Sequence, residues 1–104
     1  MTNAIVVYNK VMANHEIVNL STTVAVRLTP LGTHSGMDIT LQNVNSSGYV
    51  YVGAEDVTSS SYGFRILPNH SISFELAGLD SLYAIASSAD MDLAVLRIDL
   101  ESQD

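Results

Sequence analysis

Between Asp38 and Ser88 short runs of apolar residues alternate with polar ones, and each run ends in a cluster of Ser, Gly, Asn or Asp. That rhythm matches strands joined by turns, because side chains along a strand point to opposite faces in turn, with a period of two residues. Ser71 to Leu76 is the cleanest instance: Ile72, Phe74 and Leu76 share one face, and Ser71, Ser73 and Glu75 share the other. The same alternation sets Ile39 and Leu41 against Asp38, Thr40 and Gln42, and sets Val50 and Val52 against Tyr49 and Tyr51.

Further strands are expected at Phe64 to Leu67, stopped by Pro68-Asn69, at Leu82 to Ala86, and at Leu93 to Leu100. In the last of these Ala94, Leu96, Ile98 and Leu100 are taken as the inward set, so the expected core joins Leu96 and Ile98 to Leu82, Ile85 and the inward residues above. Ala4 to Leu28 is rich in Val, Ile and Thr and predicts two or three strands broken at Asn9-Lys10, Asn14-His15 and Asn19 to Ser21. Thr22, Val24, Val26 and Leu28 form one face of the last of them. Thr29 to Gly36 contains a proline and two glycines and predicts a loop. Ala54 to Gly63 predicts another, exposed and acidic at Glu55-Asp56. Ala13 to Leu20 and Asp90 to Leu100 also fit helical spacing, but the density of Val, Ile, Thr and Tyr favours strands.

Strands about ten residues apart, each bounded by turn residues, predict an all-β chain: a small antiparallel β-sandwich or barrel, jelly-roll-like or Ig-like. At 104 residues the chain supports one domain, 1–104, with 1–13 as a docking arm or first strand. A frayed acidic tail is expected at Ser102 to Asp104.

Charge narrows the function classes. Lys10, Arg27, Arg65 and Arg97 are the only basic residues against eleven acidic ones, giving a net charge of −7. Phosphate backbones would be repelled, so nucleic acid is not an expected partner. Nor is a membrane: four scattered cations make no polybasic patch, and no apolar run nears the roughly 20 residues that span a bilayer. Met1 to Ala4 lacks the basic start of a secretory leader, so synthesis in the cytoplasm is expected. Only 14% of residues are charged, and charged groups are depleted at interface centres, which favours a protein held against partners.

No catalytic, cofactor-binding or metal-binding residue is expected. The chain has no cysteine, which removes disulfides, thiolate nucleophiles and cysteine-ligated zinc. His15, His34 and His70 share no ligand spacing and read as turn histidines. Glu55-Asp56, with Asp38 or Asp80 brought near by the fold, could offer oxygen ligands to calcium, but the alternating acidic pattern of a calcium loop is missing. No serine stands in a Gly-x-Ser-x-Gly elbow, and no glycine run cradles phosphate. The residues singled out for contact with a partner are Tyr8, Tyr49, Tyr51, Tyr62 and Phe64, since tyrosine supplies rigid amphipathic area suited to protein interfaces and sugar stacking. Tyr83 fits core packing equally well.

Tyr51-Val52-Gly53, Asp56-Val57-Thr58, Gly63-Phe64 and Leu82-Tyr83-Ala84-Ile85 together give a pattern that resembles a family of small tailed-phage virion structural proteins, over about Asp38 to Leu100. Leu67-Pro68-Asn69-His70 departs from it where a glycine-containing turn is the norm, which touches loop shape more than fold. The resemblance implies a capsid decoration, or cement, protein on the virion surface, with the major capsid protein and further copies of itself as partners. A trimer is the state that the analogy suggests. The alternative it implies is a tail or fibre adhesion module that binds a host glycan or surface protein.

Overall fold

The computed structural model describes residues 10–30, 36–78 and 80–101. Eight strands account for the regular structure of these residues, and no helix is present among them: β1 Lys10–Asn19, β2 Val26–Arg27, β3 Met37–Asn43, β4 Val50–Gly53, β5 Phe64–Ile66, β6 Ser71–Leu76, β7 Tyr83–Ala86 and β8 Asp92–Glu101. They form two antiparallel four-stranded sheets, ordered β1-β8-β3-β6 and β2-β7-β4-β5.

That order has a simple origin. β1 pairs with β8, β2 with β7, β3 with β6 and β4 with β5, as rungs of one long hairpin whose tip is the β4–β5 connection. Two further pairings, β3 with β8 and β4 with β7, roll the hairpin into a sandwich. The result is the eight-stranded jelly roll, one of the two sandwich types that the strand pattern predicts.

The core lies between the sheets. Ile39 and Leu41 from β3, Leu93 and Val95 from β8, Val50 and Val52 from β4, Ile66 from β5, and Ala84 and Ala86 from β7 are buried together with Leu20, Leu28 and Met91. Ile72, Phe74, Leu76 and Leu82 pack against them half-buried. Each fully buried Leu, Ile or Val contributes roughly 1.5–3 kcal/mol relative to an exposed one.

Four expectations need correction. β8 turns Leu93, Val95 and Arg97 inward, so Leu96 and Ile98 face outward and do not belong to the core; Leu96 is 38% exposed. Both faces of β8 are apolar, and the pattern alone gave no reason to put the arginine inside. The break expected at Asn14-His15 does not occur, because β1 runs without interruption beside β8. The strand expected over Thr22 to Leu28 shrinks to Val26–Arg27: Ser21 Oγ accepts from the N–H groups of Thr23 and Val24, closing a turn that leaves Val24 exposed. Ile85 is buried, but on the outer side of its sheet. Residues 1–9, 31–35 and 102–104, which carry most of the expected docking arm, His34 and the acidic tail, lie outside the described residues.

A candidate partner-binding face of tyrosine and arginine

In the β2-β7-β4-β5 sheet, alternation sends Val50, Val52, Ala84, Ala86, Phe64 and Ile66 to the core, and so sends Tyr51, Ile85, Arg65, Tyr83 and Arg27 to the outer face. The register sets Tyr51 between Arg65 on β5 and Ile85 on β7. The β4–β5 connection then folds over this face. Thr58 Oγ1 accepts from Ser61 N–H at 3.0 Å, and Gly63 N–H donates to the Val52 carbonyl at 2.9 Å, which fixes both ends of the turn that carries Tyr62. Val57 is buried against Tyr51 and Ile85, with Ala25 and Tyr83 beside them, as a second small apolar cluster.

Three tyrosines meet on this face. The Tyr51 ring lies 4.8 Å from Tyr62 and 6.5 Å from Tyr49, tilted to the first and edge-on to the second. Tyr51 is almost covered, whereas Tyr49 and Tyr62 stay 39% and 44% exposed, so the outer rings face solvent and the inner one supports them. The Arg65 guanidinium sits 4.8 Å from the centre of the Tyr49 ring and has no carboxylate partner among the described residues. Such a cation over an exposed ring is worth about 0.5–1 kcal/mol. Further along, Arg27 is held by the Tyr83 hydroxyl and the Thr29 and Pro30 carbonyls, each at 3.1 Å. Two of the chain's four basic residues therefore share one face of an acidic protein.

The other residues singled out from sequence fall elsewhere. Phe64 points into the core and meets Phe74 edge-on at 6.4 Å, so it does not join the tyrosines. Tyr8 lies outside the described residues. His15 is on β1, and His70 is in the β5–β6 turn with Nδ1 2.9 Å from the Pro68 carbonyl. Asp38 is on β3 in the other sheet, away from Glu55 and Asp56 in the β4–β5 connection, so the fold separates those carboxylates. Among the described residues no three of His, Cys, Asp and Glu come together in a group fit to hold a metal ion.

Sequence reasoning missed Arg27 and Arg65 as members of the face. The period-2 pattern held the signal: Arg65 lies between inward Phe64 and Ile66, and Arg27 follows inward Val26. No family model, curated protein or solved structure matches the chain.

Proposed function

We propose that this chain is a capsid decoration protein of a tailed phage, which binds across neighbouring major-capsid subunits on the virion surface and stabilises the shell. The observation that carries the reading is the exposed Tyr49–Tyr51–Tyr62 cluster with Arg65 on its rim. Tyrosine and arginine dominate the residues that hold protein interfaces together, and a rigid, partly apolar face of this kind suits docking on a preformed surface. The jelly roll recurs in viral capsid proteins, a support by analogy only, since one fold hosts many functions.

The mechanism is linkage. A protein that binds the assembled shell and not its free subunits shifts the equilibrium toward assembly by its binding free energy. No chemistry is required of it, and the reading assigns no catalytic residue, cofactor or metal. Synthesis takes place in the host cytoplasm, and DNA is not a ligand for a chain of net charge −7.

A second reading draws on the same tyrosines. Exposed rings also stack on sugar faces, and lectins share the jelly roll, so a tail or fibre module binding a host glycan is the alternative. Incubating the purified protein with expanded capsids and with a glycan array separates the two. Co-sedimentation with capsids supports decoration; glycan binding with indifference to capsids supports adhesion.

A further inference from the structure

Among the described residues β1 is an edge of its sheet, and it differs from the other three edges. β2 has two residues and β5 three, too few to template another strand, and the six-residue β6 exposes Glu75. β1 runs ten residues and, after Lys10, contains neither lysine nor proline. Its one carboxylate, Glu16, belongs to the inner face, where Arg97 neutralises it at 2.6 Å. Proteins that stay monomeric blunt such edges with lysine, proline or a bulge.

The ladder shows which main-chain groups of β1 point away from β8 and have no partner among the described residues. Leu20 N–H donates to the Met91 carbonyl at 2.9 Å, which extends the β1–β8 register by one hydrogen-bonded pair. Hydrogen-bonded and non-bonded pairs alternate in an antiparallel ladder, so Val18, Glu16 and Asn14 bond to β8 while the N–H and C=O of Ala13, His15, Ile17 and Asn19 point away from it. The side chains of Ala13, His15 and Ile17 lie on the outer face beside Ile98, Leu96 and Ala94. Ile17 is 61% exposed there.

We propose that β1 pairs antiparallel with β1 of a second copy of this chain, about a two-fold axis at His15, so that the β1-β8-β3-β6 sheets of two copies become one continuous sheet. In this register His15 faces His15, Ala13 faces Ile17, and Asn14 faces Glu16. The residues whose main-chain groups are free thus oppose one another, and each outward N–H and C=O from Ala13 to Ile17 gains a partner.

Charge selects both the occupant and the axis. A net charge of −7 opposes the approach of two copies, but this strip is neutral, since its only carboxylate is already paired with Arg97. An axis at Glu16 would set two carboxylates face to face, which an axis at His15 avoids. The chosen register also lays each exposed Ile17 on Ala13 of the other copy, and the paired Ala13-His15-Ile17 rows bridge the two Ala94-Leu96-Ile98 stripes into one outer face. An isologous pairing consumes the edge, so this surface closes at two copies and not at the three suggested by analogy.

The test uses the protein alone, so its outcome is separate from that of capsid binding. Because the chain has no cysteine, single-cysteine variants report the register. His15→Cys is expected to form a disulfide-linked dimer under mild oxidation, since directly opposed residues have Cα atoms about 5.5 Å apart. Ile17→Cys is not, its counterpart lying about 14 Å along the ladder. In sedimentation velocity the unmodified chain should dimerise, and His15→Pro should weaken dimerisation at least about tenfold, as proline removes a donor at the centre of the seam. The monomer should keep its circular dichroism spectrum, because that N–H takes no part in the β1–β8 ladder. Should His15→Pro disturb the fold, Ile17→Lys on the exposed face serves the same purpose and should weaken dimerisation likewise. A monomer at high micromolar concentration, a dimer indifferent to the substitutions, or cross-linking of Ile17→Cys as readily as His15→Cys would overturn the proposal.

Discussion

Arg97 reaches inward from β8 and donates from Nη2 to Glu16 Oε2 on the neighbouring strand at 2.6 Å. Its Nη1 donates to Asn14 Oδ1 at 2.9 Å and its Nε to the Leu28 carbonyl at 2.8 Å, so one guanidinium ties β1 to β8 and both to the chain leaving β2 in the opposite sheet. The arginine is buried while Glu16 is half-exposed. Removing the carboxylate therefore strands a buried cation, and Glu16→Ala should cost about 1–3 kcal/mol in chemical denaturation, more than an exposed ion pair is worth. High salt should narrow the gap between the two proteins, because the carboxylate side of the pair is open to screening.

Asn43 is a second polar anchor. It is fully buried, and its Nδ2 donates to the carbonyls of Gly48 and Ile66 at 3.1 and 3.0 Å, while its Oδ1 accepts from the backbone and side chain of Asn45. Asn45 in turn exchanges hydrogen bonds with the backbone of Asp92. Asn43→Ala leaves these buried groups unpaired and should destabilise the domain by about 2–4 kcal/mol, measured as a fall in the urea midpoint without a change in slope.

The orientation of β8 gives a paired prediction. Leu41→Ala opens a cavity in the closed core and should cost about 2–5 kcal/mol, whereas Leu96→Ala, on the outer face, should cost less than about 1 kcal/mol. Phe74, half-buried against Phe64, should fall near the lower end of the core range when cut to alanine. Equal losses at Leu41 and Leu96 would mean that β8 faces the other way.

Gly48 occupies the turn before β4 at φ +90°, where a side chain is strained, and a Cβ there would lie 2.7 Å from Met91 Sδ. Gly48→Ala should lower the melting temperature, with a cost of about 1–2 kcal/mol; an unchanged melting temperature would contradict this backbone geometry.

These residues also show how far the fold was legible in the sequence. Ser71–Leu76 carries apolar residues on one face and polar ones on the other, and its bounds emerged unchanged. β8 resisted because Leu93 and Val95 compete with Leu96 and Ile98, and the deciding residue, Arg97, goes inward only because Asn14, Glu16 and the Leu28 carbonyl await it from distant parts of the chain. β1 has no such bipartite face: Ala13 to Ile17 are exposed, so Asn14-His15 looked like a break when β8 was in fact holding it as a strand. For the candidate site, Tyr49 and Tyr51 share a face by spacing alone. Tyr62 joins them only because the β4–β5 connection folds back, an effect of the Thr58 and Gly63 hydrogen bonds that no periodicity encodes.

The most direct test of the decoration reading is the melting temperature of expanded phage capsids with and without this protein, repeated with a variant carrying Tyr49→Ser, Tyr62→Ser and Arg65→Ser. All three side chains are exposed or half-buried on the outer face of their sheet, so the variant should keep its own fold. The account predicts that the unaltered protein binds the capsids and raises their melting temperature, and that the triple variant does neither while melting, by itself, close to the original. Failure of the unaltered protein to bind, or equal stabilisation by the variant, would contradict it.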